Sequence, residues 1–193
     1  TGNDIAVSAG STVFDSSVLL APHVHPIDSG MESMTFDPLS SLETTLGPGN
    51  YYLTKDLTNG TGDHITVSGN VTLCLNGKTL DLNGYHIIVP TGASLTLCDC
   101  GTGKITGQSY TNANSNGYGS VYVQGGSFTM YSGSISGNNA YSGGGVTVSN
   151  GGRFTMYDGS ITDNTAQLGS GVAVSSGGSF SMRGGTISGK DST

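Results

Sequence analysis

Tryptophan is absent from this sequence, and positive charge is scarce. Six lysine and arginine residues stand against thirteen aspartate and glutamate residues, which gives a net charge of −7. Nucleic acids and anionic membrane surfaces are bound through clusters of basic side chains, so neither is expected as a partner. The apolar runs are also far shorter than the ~20 residues that a membrane-spanning helix needs, so membrane insertion is not expected.

Glycine, in contrast, is abundant, with 33 among 193 residues. Hydrophobic residues still make up 34% of the sequence, which is more than a disordered polar chain would carry. They occur in short runs that alternate with polar residues and end at glycines. This pattern is typical of many short β-strands joined by tight turns. It disfavours helices, since glycine and β-branched residues are poor helix formers.

A 26-residue repeat governs the C-terminal half of the chain. Each copy contains a Val-x-Val segment, a Gly-Gly pair and then three apolar positions that do not change in type. The same pattern continues upstream with more drift, where residues 71–74 match residues 95–98. The three apolar columns are Phe128, Phe154 and Phe180; Met130, Met156 and Met182; and Ile135, Ile161 and Ile187.

Each repeat holds three short alternating segments, and none of them can bury enough surface alone. Stacked on its own copy, a segment pairs with the next coil at about 4.8 Å, so equivalent side chains become neighbours. The sequence therefore predicts an all-β fold, a right-handed parallel β-helix: a single-stranded solenoid of about five turns, each of three short strands. Residues 1–46 fall outside the repeat and are predicted to form an irregular N-terminal capping segment, with the repeat domain over residues 47–193.

Two polar features follow from the same alignment. Asn138 and Asn164 keep the 26-residue interval, which predicts a ladder of side-chain amides that bond to one another along the stack. In the last repeat this position is Lys190, where the ladder should stop. The polar stretch from Tyr110 to Gly119 interrupts the repeat and is predicted to form a protruding loop, a kind of segment that often carries function on a rigid scaffold.

Three segments, residues 49–56, 71–79 and 95–100, resemble the repeat regions of large secreted or wall-attached surface proteins of Gram-positive anaerobic bacteria. The Gly-Gly-Gly-Val and Ser-Gly-Asn-Asn-Ala sequences are similar to pectate-lyase-like β-helix repeats in adhesins. The resemblance covers residues 49–190. It implies a β-helix fold, an extracellular location (secreted or cell-wall attached) and a larger parent chain. A host or microbial glycan, or a surface protein, is the expected partner, bound through an exposed ladder face.

For function, the sequence favours a non-catalytic extracellular module of a bacterial cell-surface protein, acting in adhesion or as a structural spacer. The alternative is a carbohydrate-active enzyme, a polysaccharide lyase or glycoside hydrolase, on the same scaffold. A hydrolase needs converging carboxylates, and a lyase needs Asp-bound calcium and a cationic base. The acidic residues here are dispersed. We therefore assign no catalytic residue, no cofactor and no calcium site.

The predicted ligand face is a column of large polar side chains beside the methionine column. Tyr131 and Tyr157 occupy it, and Arg183 holds the same position in the last repeat. Tyrosine packs against sugars and proteins at a low entropy cost. Thr129 and Thr155 form an adjacent outward hydroxyl column and belong to the same face. The alternatives for these threonines are ordinary β-propensity at solvated positions and ice binding, which uses two parallel threonine ranks.

The three cysteines are Cys74, Cys98 and Cys100. The alignment places Cys74 and Cys98 in one column on neighbouring coils, at a Cα separation of about 4.8 Å that is compatible with a disulfide. An extracellular setting favours that bond, whereas parallel Cβ directions oppose it, so both states stay open. A structural role is favoured over metal binding because no four-ligand pattern is present.

The four histidines form two pairs. His23 and His25 have a spacing that could clamp a metal on one side of an extended segment; the alternative is two exposed side chains in the cap. His64 and His86 each precede an Ile-x-Val segment, which predicts that they stack on successive coils and makes them a second metal candidate. A lone pair of ligands does not define a site, so no metal is assigned.

Overall fold

The computed structural model describes residues 34–110 and 117–190, and every regular element within these two ranges is a β-strand. The strands are numbered β1 to β20 along the chain, and they form three sheets. Within the described ranges, no helix is long and apolar enough to cross a membrane. The regular alternation of buried and half-buried residues along the strands is the one that the sequence pattern predicts.

The first sheet contains β1 (Asp37–Leu39), β3 (Gly49–Leu53), β6 (Asn70–Cys74), β9 (Ser94–Cys98), β12 (Ser127–Met130), β16 (Arg153–Met156) and β19 (Ser179–Met182). The second sheet contains β2 (Thr45–Leu46), β5 (Ile65–Val67), β8 (Ile87–Pro90), β11 (Val121–Gln124), β15 (Val146–Ser149) and β18 (Val172–Val174). The third sheet contains β4 (Leu57–Thr58), β7 (Thr79–Asp81), β10 (Lys104–Thr106), β13 (Ser134–Ser136), β14 (Asn139–Ser142), β17 (Ser160–Leu168) and β20 (Thr186–Gly189).

Each coil supplies one strand to the second sheet, then one to the first and one to the third, before the chain enters the next coil. The pairings between these strands are all parallel. The protein is therefore a parallel β-solenoid of about five turns, which confirms the predicted all-β architecture. A coil satisfies its backbone groups mainly through the coils above and below it, so the stack is the unit that folds.

The Gly-Gly pairs sit at the corner between the second and first sheets, and the two glycines serve different purposes. Gly151 has a φ of 77°, a conformation that side chains with a Cβ rarely adopt. A Cβ on Gly152 would lie 2.8 Å from the carbonyl oxygen of Val123 on the preceding coil. The first glycine therefore makes the turn possible, and the second lets neighbouring coils approach closely.

The predicted aromatic column is confirmed. Phe128 pairs with Phe154 and Phe154 with Phe180 in the strand register. Their ring centroids are separated by 4.8 Å and 4.9 Å, with nearly parallel planes. Phe128 and Phe154 are fully buried, whereas Phe180 is half-buried because no described coil follows it.

The predicted isoleucine and methionine columns are also confirmed. Ile135 pairs with Ile161, and Ile161 with Ile187, across β13, β17 and β20. Met130, Met156 and Met182 pair in the same way. The columns are buried in the middle coils and become exposed in the last coil. Met182, for example, is 45% exposed, in contrast to the fully buried Met156.

The asparagine ladder forms inside the solenoid. The side-chain Nδ2 of Asn138 donates to Oδ1 of Asn164 at 2.9 Å, and the backbone N–H of Asn138 donates to the same oxygen at 3.0 Å. Asn164 Nδ2 in turn donates to the carbonyl oxygen of Ile135 at 2.8 Å. Asn138 Oδ1 accepts the backbone N–H of Gln108 at 3.1 Å, which carries the ladder one coil further than predicted. Both asparagines are fully buried.

The repeat predicts neither of two features in the third sheet, an additional ladder and a shift in strand register. Strand β14 and the second half of β17 form one short additional ladder between two coils, in which Ala140 pairs with Ala166. The register between β17 and β20 shifts between Ile161 and Asn164, where Asp163 adopts a φ of 56°. Asn164 follows this irregularity directly and is fully buried.

At the N-terminal end, β1 and β2 lie within the segment predicted as a cap, yet they join the sheets. Asp37–Leu39 pairs with β3, and Thr45–Leu46 pairs with β5. Residues 1–33 lie outside the described residues. The division between a cap at 1–46 and a repeat domain at 47–193 therefore stays a prediction, with residues 37–46 contributing strands to the solenoid.

We expect Phe154→Ala to lower the free energy of unfolding by about 3–5 kcal/mol, because the substitution opens a cavity between two stacked rings. Urea unfolding followed by circular dichroism measures the loss. Phe180→Ala is the matched control and should cost less, since its ring is only half-buried. A loss below about 1 kcal/mol for Phe154→Ala would contradict the buried column.

Asn164→Ala should lower the free energy of unfolding by about 2–4 kcal/mol, because buried donors of Asn138 and the carbonyl of Ile135 lose their partner. The control is Asn139→Ala at an exposed neighbouring position, where about 0.5 kcal/mol or less is expected. Equal losses for the two variants, measured by urea unfolding, would show that the ladder contributes nothing specific.

Candidate functional site

One outward column follows the ends of the first-sheet strands, and we call it the end column. Its strand register pairs Tyr52 with Cys74 and Cys74 with Cys98. Backbone hydrogen bonds extend the register past the strand ends, since Tyr131 donates to Leu97 and Tyr157 and Arg183 donate to the two methionines below them. The end column consists of Tyr52, Cys74, Cys98, Tyr131, Tyr157 and Arg183.

Its outer part is called the tyrosine ladder and consists of the half-buried Tyr131 and the exposed Tyr157 and Arg183. The rings of Tyr131 and Tyr157 stack with centroids 4.8 Å apart and planes within 6° of parallel. The guanidinium carbon of Arg183 lies 5.3 Å from the Tyr157 ring centroid, a cation–π contact. Tyr157 is 39% exposed. The structure thus brings together the three residues that the sequence singled out.

The hydroxyl column lies parallel to this ladder. Thr129 pairs with Thr155, and the same register continues from Thr72 and Thr96 to Ser181. Because Thr129 precedes Tyr131 by two residues, both side chains leave the strand on the same side. The outer surface of the first sheet therefore carries two adjacent ranks, one of hydroxyls and one of stacked phenol rings.

The inner part of the end column is a cluster of thiols. Cys74 and Cys98 are buried beneath Phe36, Tyr52 and Tyr131. The Sγ atoms of Cys74 and Cys100 lie 3.6 Å apart, in a contact in which either thiol can donate. The predicted pairing of Cys74 with Cys98 in one column is confirmed by the register, while a disulfide between them stays a prediction.

Both thiols of the Cys74–Cys100 contact hold their protons tightly. The pKa of Cys74 is raised well above its usual range, first by its hydrogen bond with Cys98 and then by burial. Burial, followed by the nearby Cys74, raises the pKa of Cys100 to about 12. At neutral pH both of these thiols are therefore protonated, and neither is an activated nucleophile.

Asp99 fixes the corner next to these cysteines. Its two carboxylate oxygens accept the backbone N–H groups of Gly77 and Gly103, each at 2.7 Å. The backbone N–H of Asp99 donates to the Ser132 hydroxyl at 2.8 Å on the following coil. The carboxylate is buried and engaged by backbone donors, so it serves to hold the turn.

A second cluster of rings covers the outside of the second sheet. The His64 and His86 rings stack at 3.6 Å, as the sequence predicts, and the backbone N–H of His86 donates to His64 Nδ1. Tyr118 stacks on Tyr122 at 3.9 Å, and both tyrosines meet His86 edge to face. Sequence reasoning missed this tyrosine pair, because Tyr118 belongs to the loop that interrupts the repeat.

The two histidines are neutral at pH 7. Burial, and next the neighbouring His64, lowers the pKa of His86 to about 3, against a smaller opposing effect of Asp63. Burial also lowers the pKa of His64, again opposed by Asp63. His86 is only 2% exposed, so a proton on its ring would be poorly solvated.

The loop predicted over Tyr110–Gly119 is anchored at both described ends. The N–H of Tyr110 donates to the carbonyl of Asn139, and the N–H of Gly119 donates to Thr147 Oγ1 at 2.8 Å. Tyr118 forms an isolated parallel bridge with Ser142. Residues 111–116 lie outside the described residues, so the predicted protrusion itself stays a prediction.

Of the two histidine pairs that the sequence offers as metal ligands, the structure describes only the second. His23 and His25 lie outside the described residues. Over residues 34–110 and 117–190, no group of three or more histidine, cysteine, aspartate or glutamate residues is placed to hold a metal ion. His64 and His86 pack as stacked rings, and one nitrogen of His64 already accepts a hydrogen bond.

Comparisons with known proteins do not assign this chain to a family. No protein-family model matches this chain, and neither the search of curated proteins nor that of solved structures returns a significant match.

The histidine stack makes stability depend on pH in a defined window. The pKa of His86 is depressed in the folded state, so the unfolded chain binds the extra proton and stability falls as pH falls from about 6.5 towards 3. We expect the free energy of unfolding to be about 2 kcal/mol lower at pH 5 than above pH 7.

Urea titrations at a series of pH values measure this effect, and His86→Gln should remove most of the loss between pH 6.5 and 5. Carboxylates cannot produce the same loss, because they titrate mainly below this interval. A wild-type stability that stays flat from pH 7 to 5 would contradict the buried neutral histidine.

Proposed function

We propose that this chain is a non-catalytic extracellular module of a bacterial cell-surface protein, which acts in adhesion or as a structural spacer. In this proposal the tyrosine ladder and the hydroxyl column beside it recognise a protein or glycan on another surface. The observation that carries the proposal is the pre-ordered pair of ranks on the outside of the first sheet. The extracellular bacterial setting rests on the resemblance of residues 49–190 to surface-protein repeats.

Pre-ordering supports a binding role for the ladder. Stacking at 4.8 Å holds Tyr131 against Tyr157, and Arg183 lies over the outer ring. Side chains that are already fixed lose little conformational entropy when a partner binds, and tyrosine and arginine are the residues that dominate many interfaces. The ladder thus combines exposed apolar area, phenol hydroxyls and one positive charge on a rigid sheet.

The stacking also limits the kind of contact a ligand can make. The Tyr157 ring has Tyr131 on one side and Arg183 on the other, and Tyr131 packs onto the cysteine cluster. The ring faces are therefore occupied, and a ligand meets ring edges, phenol oxygens, the guanidinium group and threonine hydroxyls. This favours a flat partner that forms hydrogen bonds along the ladder over a sugar ring stacked on one tyrosine.

Two carboxylates that directly follow end-column residues in the sequence support the non-catalytic part of the proposal. Asp99 accepts two backbone N–H groups at the cysteine corner, and Asp158 accepts the N–H of Gly159 in the turn after β16. Each carboxylate is thus engaged in a turn, whereas a glycosidase places two carboxyl groups across the bond that is cleaved.

Loss of binding in a double variant tests the recognition face. Tyr131→Ala combined with Tyr157→Ala should weaken binding to a glycan array, or to a panel of immobilised surface proteins, at least tenfold, since both rings and the seat of Arg183 are lost. Tyr141→Ala is the matched control. Tyr141 is comparably exposed but belongs to β14 in the third sheet, so binding should be unchanged.

Two results would contradict the proposal. Binding that is unchanged in the double variant, with circular dichroism showing an intact fold, would remove the ladder from recognition. Cleavage of pectin, alginate or a host glycan by the wild-type chain, tested with and without calcium, would overturn the non-catalytic role.

A further inference from the structure

The cysteine cluster combines a buried thiol with an exposed one at contact distance. Cys74 is fully buried, and its Sγ lies 3.6 Å from that of Cys100, which belongs to an exposed residue just beyond the end of β9. Cys98 is also buried and lies in register with Cys74. Three sulfurs therefore meet at one corner, but only one of them belongs to a residue that solvent reaches freely.

We propose that Cys74 and Cys100 are an oxidisable pair, in which a small-molecule disulfide converts the two thiols into a bridge between neighbouring coils. Cys98 takes no part in the bond. This inference is independent of the proposed recognition role, because it concerns only the covalent state of the corner.

The reaction proceeds by two thiol–disulfide exchanges. The Cys100 thiolate attacks the small-molecule disulfide RSSR, which forms the Cys100–SR bond and breaks the R–S–S–R bond to release RS⁻. Cys74 then loses its proton and attacks Sγ of Cys100, which forms the Cys74–Cys100 bond and releases the second RS⁻. The two released thiolates take up the two protons, so that two cysteine thiols are oxidised and one RSSR is reduced to two RSH.

Access and direction favour Cys100 over Cys98 as the partner. The first exchange needs a thiol that a dissolved reagent can reach, and Cys98 is only 2% exposed. Cys74 and Cys98 also lie side by side on paired parallel strands, where their Cβ atoms point in the same direction, whereas a disulfide needs Cβ atoms directed towards each other. The Cys98 thiol hydrogen-bonds with Cys74 and also donates to the carbonyl oxygen of Leu73 on the neighbouring coil.

The bridge would close a loop of 26 residues, slightly more than one coil, since Cys74 is in register with Cys98 on the next coil. A bond of this loop length restricts the unfolded chain, so oxidation should raise Tm by roughly 5–10 °C. Because both thiols hold their protons tightly, the reaction should be slow at pH 7 and accelerate about tenfold per pH unit as the thiolate of Cys100 becomes populated.

Oxidised glutathione and tryptic mapping of the full chain test the proposal. Cleavage after Lys55, Lys78 and Lys104 separates Cys74 in one peptide, residues 56–78, from the other two cysteines in residues 79–104. The expected product is a cross-link between these peptides, with two of the three thiols lost. Fragmentation between Cys98 and Cys100 in the wild-type chain locates the bond directly.

Matched variants separate the possible partners. Cys98→Ser should keep the cross-link and the rise in Tm, whereas Cys100→Ser should lose both. A Cys74–Cys98 bond, a bond within residues 79–104, or three thiols that survive oxidation at pH 9 would each overturn the proposal. The fragmentation result on the wild-type chain decides the question even if a variant fails to fold.

Discussion

The hydrogen-bonded register between successive coils is the constraint on which the whole structure depends. Once one pair of strands is in register, each outward or inward position faces its own equivalent at the distance of neighbouring strands. Every residue type must therefore tolerate a copy of itself as neighbour. Phenylalanine does so by ring stacking, and asparagine does so because its amide carries both a donor and an acceptor.

The same constraint explains the low charge of the chain. A repeated charge would place like charges directly opposite each other on paired strands, which is destabilising. The exposed strand position of Arg153 illustrates the solution, since its register partners are Ser127 and Ser179. Arg183 likewise follows two tyrosines and not a second arginine, and it gains a cation–π contact in place of repulsion. The small number of charged residues is therefore a consequence of the geometry of the stack as much as of the environment of the protein.

Sequence reasoning succeeded wherever equivalent strand positions can be aligned between coils, and it failed at the inserted loop and at a corner beyond a strand end. The Phe154 column, the Asn164 ladder and the tyrosine ladder all follow from a fixed interval, because equal spacing places equal residues on one line. The stacking of Tyr118 on Tyr122 depends on how an inserted loop folds back over the second sheet, and no periodicity encodes that path. The contact between Cys74 and Cys100 was missed for a similar reason: Cys100 lies in a corner, past the end of its strand.

The sequence predicts which residues form the candidate site. It does not predict which of their chemical groups a ligand can reach. Alignment alone puts Tyr131 and Tyr157 in one column, and exposed tyrosine suggests stacking on sugars. The structure does not favour stacking on sugars, because rings at the spacing of neighbouring strands cover each other's faces. What the ladder presents outward is edges and hydroxyl groups at a regular interval. A β-solenoid that stacks its aromatic residues in register therefore gains rigidity at the cost of open ring faces, and recognition by such a surface has to come from the pattern along the ladder.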